Sequence, residues 1–312
     1  MDIFLTGASG YVGGTIANAL LAAGHTVTGL VRSNERAEQV SLCGIHPVLG
    51  TLDDARLLAQ QAAAADAVIN AADADHAGAV AAMLPVLRNK VFIQTSGAGI
   101  VADGAGGEFS EQVYEDDTPV VPLAGRVARV ALNERVLAAA AQGVRSIVIA
   151  PPMIYGKGTG VNPHSIQMPR MIALARKHGV AKVVGRGANV WSHVHVEDLA
   201  DLYVKALMHA LMQARTHTSA GTFYYAENGE ASMLQIGEAI SRMLGLGGAT
   251  ACMTQAEAIA EYGEFAVQYS FGSNCRVRAV RARQALGWQP AQASLLTEIE
   301  QGSYAQAWGK PT

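Results

Sequence analysis

The sequence predicts an α/β fold, a doubly wound parallel sheet of about seven strands flanked by helices, with a smaller C-terminal lobe over its carboxyl ends. Two observations predict it. At the start of the chain a strand, a glycine turn and a helix follow one another, and a second strand closes the unit within about thirty residues. Beyond it, short β-favouring runs alternate with helical segments as far as the middle of the chain, the pattern of successive βαβ units.

The first strand, Ile3-Phe4-Leu5-Thr6, runs straight into Gly7, Gly10 and Gly13. Gly7 permits a tight turn, Gly10 lets the backbone approach a pyrophosphate, and Gly13 lets the helix from Ile16 to Ala23 pack closely on the strand. The free N–H groups at the start of that helix then face an anion, so a dinucleotide is expected here. Gly24 stops the helix, and Thr26 to Val31 form the second strand.

The residue at the end of that strand decides between cofactors. In folds of this kind an acidic residue there grips the ribose hydroxyls of NAD, whereas an arginine accommodates the extra phosphate of NADP. Here it is Arg32, followed by Ser33 and Arg36. A charge-assisted clamp makes NADP the expected cofactor and NAD the alternative; the plainer reading is a solvated arginine at a strand end.

Ile45 to Gly50 read as the third strand, and Thr51-Leu52-Asp53-Asp54 caps the next helix, with Leu52 where an adenine would lie. The fourth strand, Ala67 to Ala72, ends in Asn70, read as a backbone brace, and in the small residues Ala71 and Ala72 beside the cofactor. A helix from Ala77 to Leu87 leads to the fifth strand, Lys90 to Gly97. Ser146 to Ala150 make the sixth, ended by Pro151-Pro152 because proline cannot donate to a ladder.

Composition bounds the partners. At 312 residues the chain can bury a large core, and length alone allows one to three domains. Half the residues are hydrophobic, the net charge is −3 and basic runs are absent, which argues against nucleic acid or a membrane surface and for a small-molecule substrate. No stretch is long and apolar enough to span a bilayer, and no export signal opens the chain. Cys43, Cys252 and Cys275 are odd in number and lack metal-like spacing, which suits reduced thiols in a cytoplasmic protein with no metal site.

Taken together, the motifs resemble the extended short-chain dehydrogenase/reductase superfamily, in its epimerase/dehydratase-like group. Thr6 to Gly13, Val68 to Ala72 and Phe92 to Ser96 match, followed by Glu115-Asp116-Asp117-Thr118-Pro119 and Pro151 to Gly156. Val194-His195-Val196-Glu197-Asp198-Leu199-Ala200 and Ala285-Leu286-Gly287-Trp288-Gln289-Pro290 complete the series in family order. The resemblance implies a Rossmann fold. As cofactor-binding positions it implies Thr6, Gly7, Ser9, Gly10, Tyr11, Val12 and Gly13, then Leu52, Asn70, Ala71 and Ala72, then Thr95, Pro152 and Ile154, with Arg32 and Ser33 as above. Met153 and Ile154 are expected against the nicotinamide ring. His195 and Asp198 are expected to hold the sheet to the following helix, and a homodimer follows by analogy with relatives that pair through the helices after the fourth and fifth strands.

The resemblance breaks down where proton transfer belongs. The family uses a Tyr and a Lys four residues apart on one helix face, with a Ser or Thr from the fifth strand. Aligned on Glu134, those two positions hold Arg126 and Val130, and no Tyr-x-x-x-Lys occurs elsewhere in the chain. Arginine is held charged by a pKa above about 12, so Arg126 can bind an anion or polarise a carbonyl but not act as an acid. Ser96 or Thr95 either reaches a substrate or merely satisfies the strand end. Tyr155, Tyr114, His193 and His195 are the nearest replacement donors, each with a plainer structural reading, and a water relay is the other route. Ser96, Arg126, Tyr155 and His193 are the candidate catalytic set. Trp191 stands where nucleotide-sugar enzymes of the family carry an arginine, and it either stacks on a flatter ligand or belongs to the core.

The dinucleotide-binding domain is expected over residues 1–155 with returning elements near 182–226, and the substrate lobe mainly over 156–312. Within the lobe, Lys157 to His164 form a glycine-rich loop suited to movement, and Ile166 to His178 an amphipathic helix. A helix from Leu199 to Ala214, a polar turn at 215–221 and a strand from Thr222 to Ala226 follow. Ser232 then caps a helix reaching Leu244, and the tail from Thr254 to Trp308 is helical. The function expected is an NAD(P)-dependent oxidoreductase reducing a small carbonyl compound with a nonstandard proton donor; the alternative is a catalytically silent NADP-binding sensor.

Overall fold

The computed structural model describes residues 1–212 and 221–309. The polar turn expected at 215–221 lies outside the described residues except for Gly221, as does the end of the helix expected to reach Ala214. Seven strands form one sheet: β1 (Asp2–Thr6), β2 (Thr26–Val31), β3 (His46–Leu49), β4 (Ala67–Asn70) and β5 (Val91–Thr95), joined further along by two more. A two-residue strand, β6 (Tyr114–Glu115), comes before β7 (Arg145–Ala150). Then come β8 (Met153–Tyr155), β9 (Ala181–Val184), β10 (Val190–His195) and β11 (Thr222–Tyr225). The last are β12 (Glu230–Ser232), β13 (Thr250–Met253) and β14 (Val277–Arg278).

The large sheet runs β11-β7-β5-β4-β1-β2-β3, with every pair parallel. Its order reverses between β1 and β4, where a crevice opens at the carboxyl ends. Strand alternation separates two cores. Ile3, Leu5, Ile69 and Ile93 point to one face, and Phe4, Val68, Phe92 and Val148 to the other.

Helices cover both faces. α1 (Tyr11–Ala22), α2 (Asn34–Leu42) and, from later in the chain, the helix Val196–Met212 pack on the first through Ile16, Leu20, Val40, Leu202 and Tyr203. α3 (Ala55–Ala64), α4 (Ala77–Met83) and α5 (Val127–Ala138) pack on the second through Leu58, Val80 and Val136. The lobe contains α6 (Gln167–His178), and α7 is the Val196–Met212 helix already placed. α8 (Met233–Met243), α9 (Gln255–Tyr262) and the short α10 (Glu264–Ala266) follow, the last running into a π-helical turn at Val267–Phe271. α11 (Val280–Leu286), α12 (Leu295–Gln301) and α13 (Ser303–Trp308) end the described chain. The serine cap expected at the start of α8 is formed by Ser232, and Gln235 completes it as a capping box.

One expectation is corrected. The tail is not uniformly helical: β14 interrupts it and pairs with β6, because Asp116 accepts the backbone N–H of both Tyr225 and Arg281 and so draws the two segments together. Beyond the two prolines Met153 to Tyr155 form β8, which pairs in parallel with β10 and belongs to a second, three-stranded sheet with β12.

The family-like motifs act as clasps between sheet and lobe. Asp198, at the start of α7, accepts the N–H groups of Ala291 (2.8 Å) and Gln292, and its own carbonyl accepts Trp288 Nε1–H at 3.0 Å. Trp288 is fully buried. Trp288→Ala is expected to cost about 3–5 kcal/mol, read as a lower urea midpoint. Glu230 joins Arg276 and Arg278, and these hydrogen bonds hold its carboxyl down to about 2 from an ordinary 4.5. A carboxyl whose folded pKa is depressed stabilises above its unfolded value and ceases to as pH falls through the folded one. The stability difference between wild type and Glu230→Gln is therefore expected to be constant above pH 4.5 and to vanish toward pH 2, by urea unfolding at stepped pH.

Candidate cofactor and active site

The crevice between β1 and β4 opens into a cleft of about 750 Å³. Its floor is the glycine turn. Gly7 has a left-handed φ of 79°, and a Cβ there would meet the Ala71 carbonyl oxygen at 2.8 Å. A Cβ on Gly13 would lie 2.2 Å from the Gly7 carbonyl oxygen, so α1 can sit this close to the turn only without one. Gly10 caps α1 with no side-chain bond, and Gly14 N–H donates to the Gly10 carbonyl at 2.9 Å. The N–H groups of Tyr11, Val12 and Gly13 precede it and face the cleft end, the arrangement that binds a pyrophosphate.

Ser9, Gly10, Tyr11, Val12 and Gly13 line this cleft, and so do Arg32, Leu52, Ala71, Ala72, Pro152 and Ile154. Thr6 and Asn70 do not line it. Both are buried, with Thr6 donating to Asn70 Oδ1 and Asn70 donating to Gln94 Oε1 at 2.8 Å. Thr6 Oγ1 also accepts the N–H groups of Ala71 and Ala72, so the pair sets the cleft wall from behind. Ser33 caps α2 by accepting Arg36 N–H at 3.3 Å, which leaves its O–H free to donate. Thr95 pairs with the Tyr203 hydroxyl at 2.6 Å. Of the two residues expected at the nicotinamide, Ile154 lines the cleft while Met153 is fully buried in the lobe core, as strand alternation requires.

The four candidate catalytic residues are not brought together. Ser96 is buried and accepts from Asn133 Nδ2 at 2.9 Å. Tyr155 donates to the Ala293 carbonyl at 2.6 Å and accepts from Asn228 Nδ2 at 2.9 Å, and burial pushes its hydroxyl above the usual tyrosine value. His193 meets Tyr155 edge-on at 5.4 Å and contacts Asn228 Oδ1; burial lowers its proton affinity. His195 accepts the Glu197 N–H. Trp191 is a core residue, buried with its Nε1–H on the Ser273 carbonyl at 2.6 Å. Arg126 stands apart, its guanidinium over the rings of Phe265 and Tyr269 at 4.5 and 4.7 Å. Val130 packs against the lobe core.

Several cleft residues escaped the sequence reading. Asp53 and His76 line it and pair at 3.1 Å; His76 Nδ1 accepts Ala79 N–H, so its Nε2 carries the proton. Thr51 to Asp54 carried only a helix-cap signal, which masked Asp53. Asn162 comes from the loop expected to move, beside His164, and Gln167 from the start of α6. That loop is instead strapped to α1: Tyr11 donates to the Gly156 carbonyl at 2.8 Å and Asn18 to the Thr159 carbonyl at 2.7 Å. Among the described residues no group of three or more His, Cys, Asp or Glu is placed to hold a metal, and no helix is long and apolar enough to cross a membrane.

The sequence pattern described as NAD(P)H-binding matches residues 7–118, and that of the NAD dependent epimerase/dehydratase family matches residues 78–218. The oxidase ucsJ of an Acremonium species is 32% identical over 96% of this chain and 95% of its own. A 4-hydroxy-2-methyl-3-oxo-4-farnesyl-3,4-dihydroquinoline-1-oxide ketoreductase of Stigmatella aurantiaca is 35% identical over 50% of this chain and 51% of its own. Among solved structures, a dTDP-glucose 4,6-dehydratase of Bacillus anthracis in complex with NAD superposes with a TM-score of 0.73 at 16% identity, over 100% of this chain and 99% of that one. At that identity the likeness speaks for the fold.

Gly13→Ala forces α1 away from the turn, since its Cβ has only backbone to meet. The expected result is a loss of stability of about 1–3 kcal/mol and at least about tenfold weaker dinucleotide binding, measured by urea unfolding and calorimetric titration.

Proposed function

The chain belongs to the NAD(P)-dependent epimerase/dehydratase-like group of the extended short-chain dehydrogenase/reductase superfamily, and from that premise we propose that it is an NADP-dependent oxidoreductase reducing a small carbonyl compound. The observation that carries this reading is the placement of Arg32 at one end of a cleft whose other end is walled by Pro152 and Ile154. The glycine turn and the first N–H groups of α1 hold the pyrophosphate between those ends. Arg32, with the Ser33 hydroxyl, holds the extra phosphate of NADP through charged hydrogen bonds. Bound NADPH supplies a hydride, and with one proton the carbonyl becomes an alcohol.

The proton comes from water reaching the cleft rather than from a tyrosine. Tyr155 is committed to Ala293 and Asn228, and Arg126 stays charged. Relatives whose names are an oxidase and a ketoreductase support redox chemistry over binding alone. A second reading, a catalytically silent NADP-binding sensor, is favoured by the internal hydrogen bonds that occupy Ser96, Tyr155 and His193.

Calorimetry with NADPH and NADH tests the cofactor. NADPH is expected to bind more tightly, and Arg32→Ala to weaken it about tenfold or more with NADH unchanged, in keeping with about 1.5–3 kcal/mol for a charged hydrogen bond. NADPH consumption with an aldehyde, ketone or quinone supports the reductase. Binding without turnover across that panel moves the assignment to the sensor, and binding of neither nucleotide overturns both.

A further inference from the structure

Four arginines of the described chain lie over aromatic rings: Arg126, Arg170, Arg276 and Arg283. Three of them also reach an oxygen. Arg170 donates to the Tyr262 carbonyl at 2.7 Å, Arg276 pairs with Glu230 and Arg283 with Glu227. Arg126 has no carboxylate within ion-pair distance among the described residues, although it is 92% buried by its 8% exposure. Its Nε–H is sealed from solvent with no hydrogen-bond partner. A charge taken out of water needs an opposite charge or hydrogen bonds to offset the desolvation, and ring faces supply only part of that.

The nearest carboxylate is already taken. Asp75 pulls on Arg126 electrostatically but is bound two-pronged by Arg129, one turn further on, with Nε to Oδ1 at 2.7 Å. Burial, then repulsion from Arg129, weakens the hold of Arg126 on its proton. It remains a cation at neutral pH, because an arginine starts from above about 12.

Arg126 does not itself line the cleft; it lies behind segments that continue into the cleft wall. One face of the guanidinium is covered by Phe265 and Tyr269. Toward the turn after β5, a Cβ on Gly99 would lie 3.5 Å from Arg126 Nη2, and one on Gly97 3.2 Å from Arg129 Nη1, so glycine at both positions lets the two guanidiniums lie against that turn. The segments packed around Arg126 continue to the cleft on two sides. Asp73, two residues before Asp75, lines it; so does Gln167, which donates to Ser270, the neighbour of Tyr269.

We propose that the terminal nitrogens of Arg126 bind a carboxylate of the substrate, so that the carbonyl compound reduced here is an oxo acid. This rests on the reductase reading above. A planar fork of donors matches a carboxylate, and one unpaired positive charge matches one negative charge. The aromatic flank suits an acid whose body is apolar more than a phosphate, which needs several donors to leave water. The cofactor's own phosphates are served elsewhere, by the glycine turn between the two ends of the cleft and by Arg32 at the far one.

The test titrates NADPH-saturated protein with acetate and benzoate, each beside its neutral amide. Benzoate is expected to bind at least tenfold more tightly than benzamide, the difference to collapse in Arg126→Gln and to return in part in Arg126→Lys. In turnover, Arg126→Gln is expected to raise KM for phenylglyoxylate by tenfold or more while leaving KM for the neutral acetophenone within twofold. Equal binding of acids and amides by wild type overturns the proposal, as does an acid preference that survives Arg126→Gln. Circular dichroism checks that the variant folds; if it does not, the wild-type comparison and Arg126→Lys decide. Failure of wild type to bind NADPH removes the cofactor reading itself, whereas NADPH binding without acid preference removes only the oxo acid.

Discussion

The approach of α1 to the turn after β1 is the constraint on which the rest depends. Any Cβ at position 13 would overlap the Gly7 carbonyl, and any at position 7 would overlap Ala71 at the end of β4. Glycine at both positions therefore brings the helix start, the end of β1 and the end of β4 to one point, where the strand order reverses. The crevice is a consequence of that backbone contact. Thr6, behind it, holds the Ala71 and Ala72 amides and ties them to Asn70 and Gln94, so three adjacent strands share one buried polar network. Such a network is stable because each member finds its partner.

A second set of polar clasps holds the lobe over the sheet. Asp116 and Asp198 each accept backbone N–H groups from segments distant in sequence, and Trp288 fills the space beneath Asp198. Backbone donors in loops need acceptors when they leave water, and a carboxylate offers several lone pairs at once. The acidic residues of these motifs are thus spent on architecture. The same holds for Tyr155 and His193, whose polar atoms meet Asn228 rather than open space.

Arg126 lacks this internal satisfaction. Its surroundings are aromatic, its neighbour Arg129 has the local carboxylate, and its Nε–H is unpaired. Of the buried polar atoms that lack a partner among the described residues, Arg145 Nε and Asn133 Oδ1 included, that of Arg126 belongs to a guanidinium lying over two aromatic rings. The loop over the end of the cleft walled by Pro152 and Ile154 is strapped to α1 by Tyr11 and Asn18, so the cleft's roof and floor are fastened to the same helix.

The fold was legible in the sequence because its signals are local. Glycine spacing at 7, 10 and 13, short continuous apolar runs in β1, β4 and β5, and Arg32 at the end of β2 each act within a few residues of one another. The sequence by itself also determined that a tyrosine and lysine pair is missing from α5 and the turn before it. Which side chains face the cleft was decided only by tertiary structure. Met153 and Ile154 are adjacent and both apolar, yet pairing of β8 with β10 sends one into the lobe and leaves the other on the cofactor wall. Trp191, Tyr155 and His193 find partners at Ser273, Ala293 and Asn228, tens of residues away, which no local pattern specifies. Arg126 acquires its meaning the same way: whether a guanidinium is solvated, paired or left unpaired depends on what the chain brings to it from residues 265 and 269, and on Arg129 reaching Asp75 first.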